Sequence, residues 1–406
     1  MDYPKLRLIE MIPIRHESQE LILIRDPEGI MEESLIVSRD VAYLFSLMNG
    51  QRSLRDIQAE YMRVFGELIY MDKLSELVSS LDEHLLLENE RYSTRLNLLK
   101  TEYESADVRR PYLAGKSYPE NRMELIVFLD EIFSQKVPDE EVPTHIKGIL
   151  APHIDYSRGR EVYAKTYLHL KDVEPSLVVI FGTCHRASEK LWNISLKDFL
   201  TPLERIVISP DLKEIVKNNS VLKKYISEWP HRAEHSIELQ LPLLQFMIQR
   251  EFEILPILTG SMHEYIEGKK NLDDQEIEDL VSSLKECLSK YGKPYIVISA
   301  ADLAHIGAQF GDYYPLDALT LSSSKVKDEM LLEAIKECEA DRFFQLIREE
   351  GDKRRICGLA SIYFQLRLLQ GCQCKIIEYK QWTDGASSVS FAGAIFYSEK
   401  SREDRI

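Results

Sequence analysis

The chain is poor in long apolar runs, in glycine-rich turns and in positive charge. No run of about 18 or more apolar residues occurs in its 406 residues, which excludes an ordinary transmembrane helix. Neither G-x-x-x-x-G-K-[ST] nor G-x-G-x-x-G is found, so the backbone cradles that hold nucleotide phosphates are missing. Lys and Arg number 51 against 67 Asp and Glu. The resulting net charge of −16 opposes nucleic acid, whose affinity for proteins rests on basic side chains at phosphate. Six cysteines (Cys184, Cys287, Cys338, Cys357, Cys372 and Cys374) in so large a chain do not resemble a disulfide framework. The opening MDYPKLRLIEMIPIRHE lacks the apolar core of a secretory signal, and no internal repeat or low-complexity tract is present. These absences predict a cytoplasmic protein with no membrane and no nucleic-acid partner. Its 44% apolar content is enough to build a packed core.

Residues 1–92 differ from the rest. Two apolar runs, Leu6–Ile14 and Leu21–Ile24, flank the polar stretch Arg15–Glu20 and predict a strand pair. Val41–Met48 reads as a short helix stopped by Asn49-Gly50. Ser53 with Asp56 three residues on is a capping box for a helix over Leu54–Phe65. Leu74, Leu77, Val78 and Leu81 keep helical spacing and mark a third helix. Leu85–Leu87 followed by polar Glu88–Arg91 reads as a small β wing. The whole is a winged-helix-like α+β module, and its 10 Lys/Arg against 18 Asp/Glu argue against a DNA reader or transcription regulator. The stretch MNGQRSLRDIQAEY resembles the small PqqD-like domains that hold peptide substrates, so the module is expected to dock a peptide or protein; a dimerising or purely structural role is the alternative. Residues 93–106 read as a linker.

From residue 107 to 400 buried strands alternate with amphipathic helices, the pattern of an α/β fold with a central mixed, largely parallel sheet flanked by helices. Expected strands are Gly148–Ala151, Leu177–Phe181, Phe252–Leu258, Tyr295–Ser299, Lys375–Tyr379 and Val389–Tyr397. Ligands in such sheets bind beyond the carboxyl ends of the strands. Three of these strands run straight into candidate site residues: Pro152-His153-Ile154-Asp155, Gly182-Thr183-Cys184-His185, and Ala301-Asp302-Leu303-Ala304-His305. In Trp229–Glu238, His231, His235 and Glu238 would share one face if the segment were helical. Cys357, beside Gly358 at a loop-to-helix junction, is placed to act as nucleophile or metal ligand. Asp302 is expected to orient a ligating histidine, to cap a helix beginning near Leu303, or both.

Several blocks, in order, resemble the MEMO family. They are Arg110-Pro111-Tyr112-Leu113-Ala114-Gly115-Lys116-Ser117-Tyr118-Pro119, Ala151-Pro152-His153, Gly182-Thr183-Cys184-His185, Glu234-His235-Ser236-Ile237-Glu238, Asp302-x-x-His305, Ile356-Cys357-Gly358 and Ser387-Ser388-Val389-Ser390. The nearest branch in likeness is the AmmeMemoRadiSam system protein B type. The resemblance implies a fold like the LigB class III extradiol dioxygenases and a metal site at His153, His185 and Cys357. His235, Asp302 and His305 would be the other pocket residues and the candidates for proton handling. Imidazole with a thiolate suits iron or copper, with zinc as the further choice. Cys357 stands where those dioxygenases use a carboxylate, which argues against ordinary catechol cleavage. Arg186 and Leu359-Ala360-Ser361 depart from the family pattern of a second His after the first and Arg-His-Pro after the Cys-Gly.

Two functions follow from the resemblance. One is a metal-dependent redox enzyme. The other is a non-catalytic peptide- or protein-binding component that works with a radical-SAM protein and an AMMECR-type protein. The chain lacks C-x-x-x-C-x-x-C and so is not itself the radical-SAM member. His16, His84, His145, His169 and His263 fall outside the blocks and are expected in core or surface roles. So are the pair Cys372-x-Cys374 and the tryptophans Trp192, Trp229 and Trp382. Glu399–Ile406 reads as a solvated tail.

Overall fold

The computed structural model describes residues 1–16, 19–26, 28–31, 35–134, 145–186 and 188–398. The expected tail Glu399–Ile406 lies outside them. The chain divides into two compact units, Met1–Ala106 and Asp107–Ile406.

In the first unit β1 (Glu10–His16) pairs antiparallel with β2 (Gln19–Arg25), and β2 with β3 (Leu35–Ser38). Four helices follow: α1 (Arg39–Leu47), α2 (Leu54–Phe65), α3 (Met71–Glu83) and α4 (Glu90–Ser105). The Ser53–Asp56 capping box forms as the spacing predicts, and Gly66, at φ +72°, closes α2 in the left-handed conformation. Leu44, Phe45, Ile57, Leu74, Val78 and Leu81 build the core. The β wing expected over Leu85–Arg91 does not form. Leu85 is left-handed, at φ +59°, which breaks an extended run at its first residue. Leu87 makes only a single bridge to Leu6, and Asn89 then caps α4 by accepting the N–H of Tyr92 at 3.0 Å. Residues 93–105, read as linker, therefore belong to a helix.

The second unit opens with β4 (Val108–Arg109), α5 (Arg122–Phe133), β5 (Ile146–Ala151), α6 (Tyr156–Tyr167) and β6 (Leu177–Thr183). It continues through β7 (Trp192–Ile194), β8 (Asp198–Leu200), β9 (Arg205–Ile206), α7 (Pro210–Asn218), α8 (Gln240–Ile248), β10 (Glu253–Thr259) and α9 (His263–Ile266). The last part comprises α10 (Gln275–Tyr291), β11 (Tyr295–Ala300), β12 (His305–Gly307), α11 (Ala318–Lys336), α12 (Ala340–Glu349), α13 (Leu359–Leu368), β13 (Gln373–Thr383) and β14 (Ser387–Tyr397). The main sheet runs β12-β14-β5-β11-β6-β10-β7, with β13 also on β14. Its centre, β5-β11-β6-β10, is parallel, and β7, β12, β13 and β14 are antiparallel to their neighbours. Every residue of β6 is buried, as a strand covered on both faces requires. All six expected strands are found, most of them longer than the apolar runs that announced them. The short β4, β7, β8, β9 and β12 carry too few residues for a readable period.

The start of this unit is fastened by a buried ion pair. Arg109 and Glu238 are each 1% exposed at the side chain and pair directly. Glu238 also accepts from Tyr112 N (2.9 Å), Leu113 N (2.7 Å) and the Tyr118 hydroxyl (2.6 Å), while Arg109 donates to the carbonyls of His231 (3.1 Å) and Glu234 (2.9 Å). Arg109→Met would leave the Glu238 carboxylate desolvated without its cation. We expect a loss of about 3–5 kcal/mol, measured as a lowered urea midpoint, with β-sheet circular dichroism retained below the transition.

Candidate metal centre

β5, β11 and β6 are adjacent in the sheet, so the segments that leave their carboxyl ends are adjacent too. His153 follows β5, Asp302 follows β11 and His185 follows β6. His153 is 2% exposed, and its Nδ1 lies 2.9 Å from the carbonyl of Ala300. A carbonyl only accepts, so the ring proton sits on Nδ1 and Nε2 is left bare. The same logic fixes two further rings through one carboxylate. Glu234 Oε1 lies 3.0 Å from His185 Nδ1 and 3.1 Å from His235 Nδ1, and the Glu234 side chain is only 3% exposed. It also accepts the backbone N–H groups of His185 (2.9 Å), His235 (2.8 Å) and Ser236 (3.1 Å).

The outcome is three imidazoles gathered together, with their Nδ1 atoms engaged by Ala300 and Glu234. His185 and His235 are nearly parallel at 4.4 Å, and His153 stands edge-on to them at 5.0 and 5.3 Å. Their donor atoms lie within 4.8 Å of one another, and this is the group among the described residues that can hold a metal ion. The donor set fits: burial holds His153 well below the usual histidine range, helped by its two histidine neighbours, so its lone pair is free. Burial opposes ionisation of Glu234, but the two imidazoles and their N–H bonds outweigh it and keep the carboxyl well below the ordinary range.

Cys357 meets the cluster through His153. Its Sγ is 3.2 Å from His153 Nε2 and 3.7 Å from the Asp302 carbonyl oxygen. Burial pushes the thiol well above its usual range, so without a cation it stays protonated and donates to the bare Nε2. Close approach depends on Gly358: a Cβ there would sit 2.5 Å from the Asp302 carbonyl oxygen and 2.6 Å from Ala301 Cβ. Hydroxyls anchor the loop from below. Thr183 donates to the Cys357 carbonyl (3.1 Å), Ser361 lies 2.8 Å from Thr259, and Ser236 donates to the Thr183 carbonyl (2.9 Å).

The compact cluster that could hold a metal ion is thus His153, His185 and His235, with Cys357 bonded to His153. Asp302 accepts the His153 N–H at 2.9 Å, and its other oxygen lies 3.7 Å from Nε2. Burial raises Asp302 to about 7, against the pull of the N–H donors of His153 and Ile154. No helix starts at Leu303, so the helix-cap reading of Asp302 falls away, and β12 begins at His305 instead. His305 bonds the Leu303 carbonyl at 3.1 Å and rests its ring on Phe310; burial lowers it to about 4. Glu234, Thr183, Ser361 and Gly358 escaped the sequence reading of the site. The signal for Glu234 was its place beside His235, since metal-ligating histidines commonly donate their second N–H to a carboxylate.

The helical face expected for His231, His235 and Glu238 is not there. Trp229–His231 is a 3₁₀ turn, the chain winds through turns after it, and α8 starts only at Gln240. Arg109 draws two carbonyls of the segment inward, which takes them out of any helical ladder. His231 and Glu238 therefore face the core, and His231 Nε2 lies 2.9 Å from the Asn193 carbonyl.

A profile described as Memo-like protein matches residues 109–395, which take in every residue of the pocket. The chain belongs to the Memo-like family. A MEMO1 family protein of Aquifex aeolicus is 27% identical over 404 residues, 97% of this chain and 100% of the relative, so that likeness takes in both units. MEMO1 family proteins of Thermus thermophilus and Thermoplasma volcanium are each 28% identical, over 81% and 72% of this chain and 94% and 97% of theirs. No helix of this Memo-like protein, among the described residues, is long and apolar enough to cross a membrane.

Buried His231 gives the fold a pH signature of its own. Burial lowers it to about 4 from an ordinary 6.5, so the unfolded chain binds a proton between those values while the folded chain does not. The contribution of His231 to stability is complete above pH 6.5 and is lost as pH falls toward 4. His231→Gln is expected to flatten that slope in urea titrations run across the interval; an unchanged slope would refute the assignment.

Proposed function

We infer that this Memo-like protein binds a redox-active metal ion, iron or copper, through His153, His185 and His235, with the Cys357 thiolate completing the donor set. The observation that carries this is the shared carboxylate: Glu234 spends its lone pairs on two Nδ1–H groups, so both rings offer Nε2 to the pocket. Three imidazoles and a soft sulfur suit iron or copper, and zinc is the redox-silent occupant the same donors accept. The bound ion would supply redox or Lewis-acid chemistry. The reaction class we assign is metal-dependent oxidation, supported by a pocket that sets a titratable acid beside the ligands. Asp302, raised to about 7, can take or give a proton near neutral pH, while His305 remains a neutral polar neighbour. His185 is exposed and His235 half-exposed, so a substrate reaches this side of the pocket from solvent.

The test is metal analysis of protein purified without chelator or affinity tag. Near-stoichiometric iron or copper in the parent, with none in a His153→Ala/His185→Ala double variant, is the expected result. Glu234→Gln keeps the size of the side chain but loses its charge, and should weaken metal binding by roughly 10–100-fold. A parent that contains no metal and takes up none on titration would overturn the reading.

A further inference from the structure

The first unit, Met1–Ala106, holds 12 Lys/Arg and 20 Asp/Glu, and so carries −8 of the chain's −16. Large apolar side chains would be expected under such a surface, yet five stand in solvent within nine residues: Met62, Val64, Phe65, Leu68 and Tyr70. Leu68 and Tyr70 are 55% and 70% exposed. Clustered exposure of this kind marks interaction sites more often than scattered single residues do. The corner is also rigid. Phe65 stacks on Tyr61 at 4.7 Å and meets Tyr43 edge-on at 5.4 Å, and Gln58 Nε2 pins the turn by donating to the Ile69 carbonyl at 2.7 Å. Anchors already fixed in place lose little entropy on binding.

Beyond Tyr70 the surface turns acidic. Asp72, Ser75, Glu76, Ser79, Ser80 and Glu83 line a shallow groove of about 430 Å³ along α3. From Glu60 to Glu88 there are seven acidic residues and two basic ones. Both basic residues are paired within the surface, Arg63 with Glu60 and Lys73 with Glu76.

We propose that the α2–α3 corner is a docking site for a basic, amphipathic segment of a partner protein. Apolar side chains of that segment cover Met62, Phe65, Leu68 and Tyr70, and its Lys or Arg side chains enter the acidic groove. Charge selects this occupant. A second copy of the chain would bring one −8 unit against another, and anionic polymers or lipids meet the same repulsion. The site lies wholly within the first unit, and its function is independent of the metal centre.

The probe is a short, fluorescently labelled helical peptide of leucine and lysine, titrated against the full-length protein and followed by anisotropy. Its counterpart carries glutamate in place of every lysine. Leu68→Asp/Tyr70→Asp and Glu76→Lys/Glu83→Lys should each weaken binding of the lysine peptide by roughly tenfold or more. Leu319→Asp/Val326→Asp, at exposed apolar positions of α11, should leave it unchanged, and the glutamate peptide should not bind. Circular dichroism checks the fold, and Leu68→Ser alone keeps the test decisive if the double aspartate variant unfolds. Equal binding of the glutamate peptide, or undiminished binding in both corner variants, would overturn the proposal. So would sedimentation showing a dimer that the corner variants dissolve, because the patch would then be covered by a second copy.

Discussion

Glu234 is a carboxylate held almost entirely out of water between two imidazoles, and the geometry of the centre depends on it. Burying an unpaired carboxylate would cost many kcal/mol, and such a group would ordinarily protonate instead. Here donors surround it: two ring N–H groups and three backbone N–H groups. The carboxylate stays charged because those donors replace its water. In return it fixes the tautomer of His185 and His235, which no property of an isolated imidazole would do. His153 gets the same instruction from a backbone carbonyl.

Four residues further on, Glu238 applies the same chemistry to a different end. It too is desolvated and saturated with donors, but its cation is Arg109 and its role is to clamp the segment at residues 109–118 onto the pocket loop. Arg109 also donates to the carbonyl of Glu234, so the clamp and the carboxylate of the centre share one backbone segment. The rigidity of the histidine pair is thereby inherited from a buried ion pair that touches no candidate ligand. Beneath Cys357 the neutral hydroxyls of Thr183, Thr259 and Ser361 serve the same purpose without any charge. Ser361 is one of the residues by which this chain departs from the family pattern, and it is buried in that network.

The first unit uses charge in another way. It keeps one ion pair inside, Arg7 with Asp26 at 2.7 Å, whose carboxylate also takes the N–H groups of Ile30 and Met31. The other described acidic residues of the unit are partly or fully exposed. Buried charge there orders a loop, and exposed charge sets which partners can approach.

The amino-acid sequence by itself determined the secondary structure that repeats and the residues that do chemistry. Long apolar runs announced every central strand, the Ser53–Asp56 spacing announced the α2 cap, and the order of the motif blocks announced the Memo-like family and its histidines. These features are local, or they survive as short patterns, so they can be read one segment at a time. The tertiary structure alone decided which donors meet. His235 and Cys357 are 122 positions apart, and His153 and Cys357 bond across 204 positions. Sheet order, not spacing along the chain, brings them together. It also decided the opposite fates of Glu234 and Glu238, and it turned His231 inward where helical periodicity had pointed it at the pocket. A carboxylate becomes an orienting group or a clamp according to which N–H groups surround it once water is gone, and that environment exists only after the chain has folded.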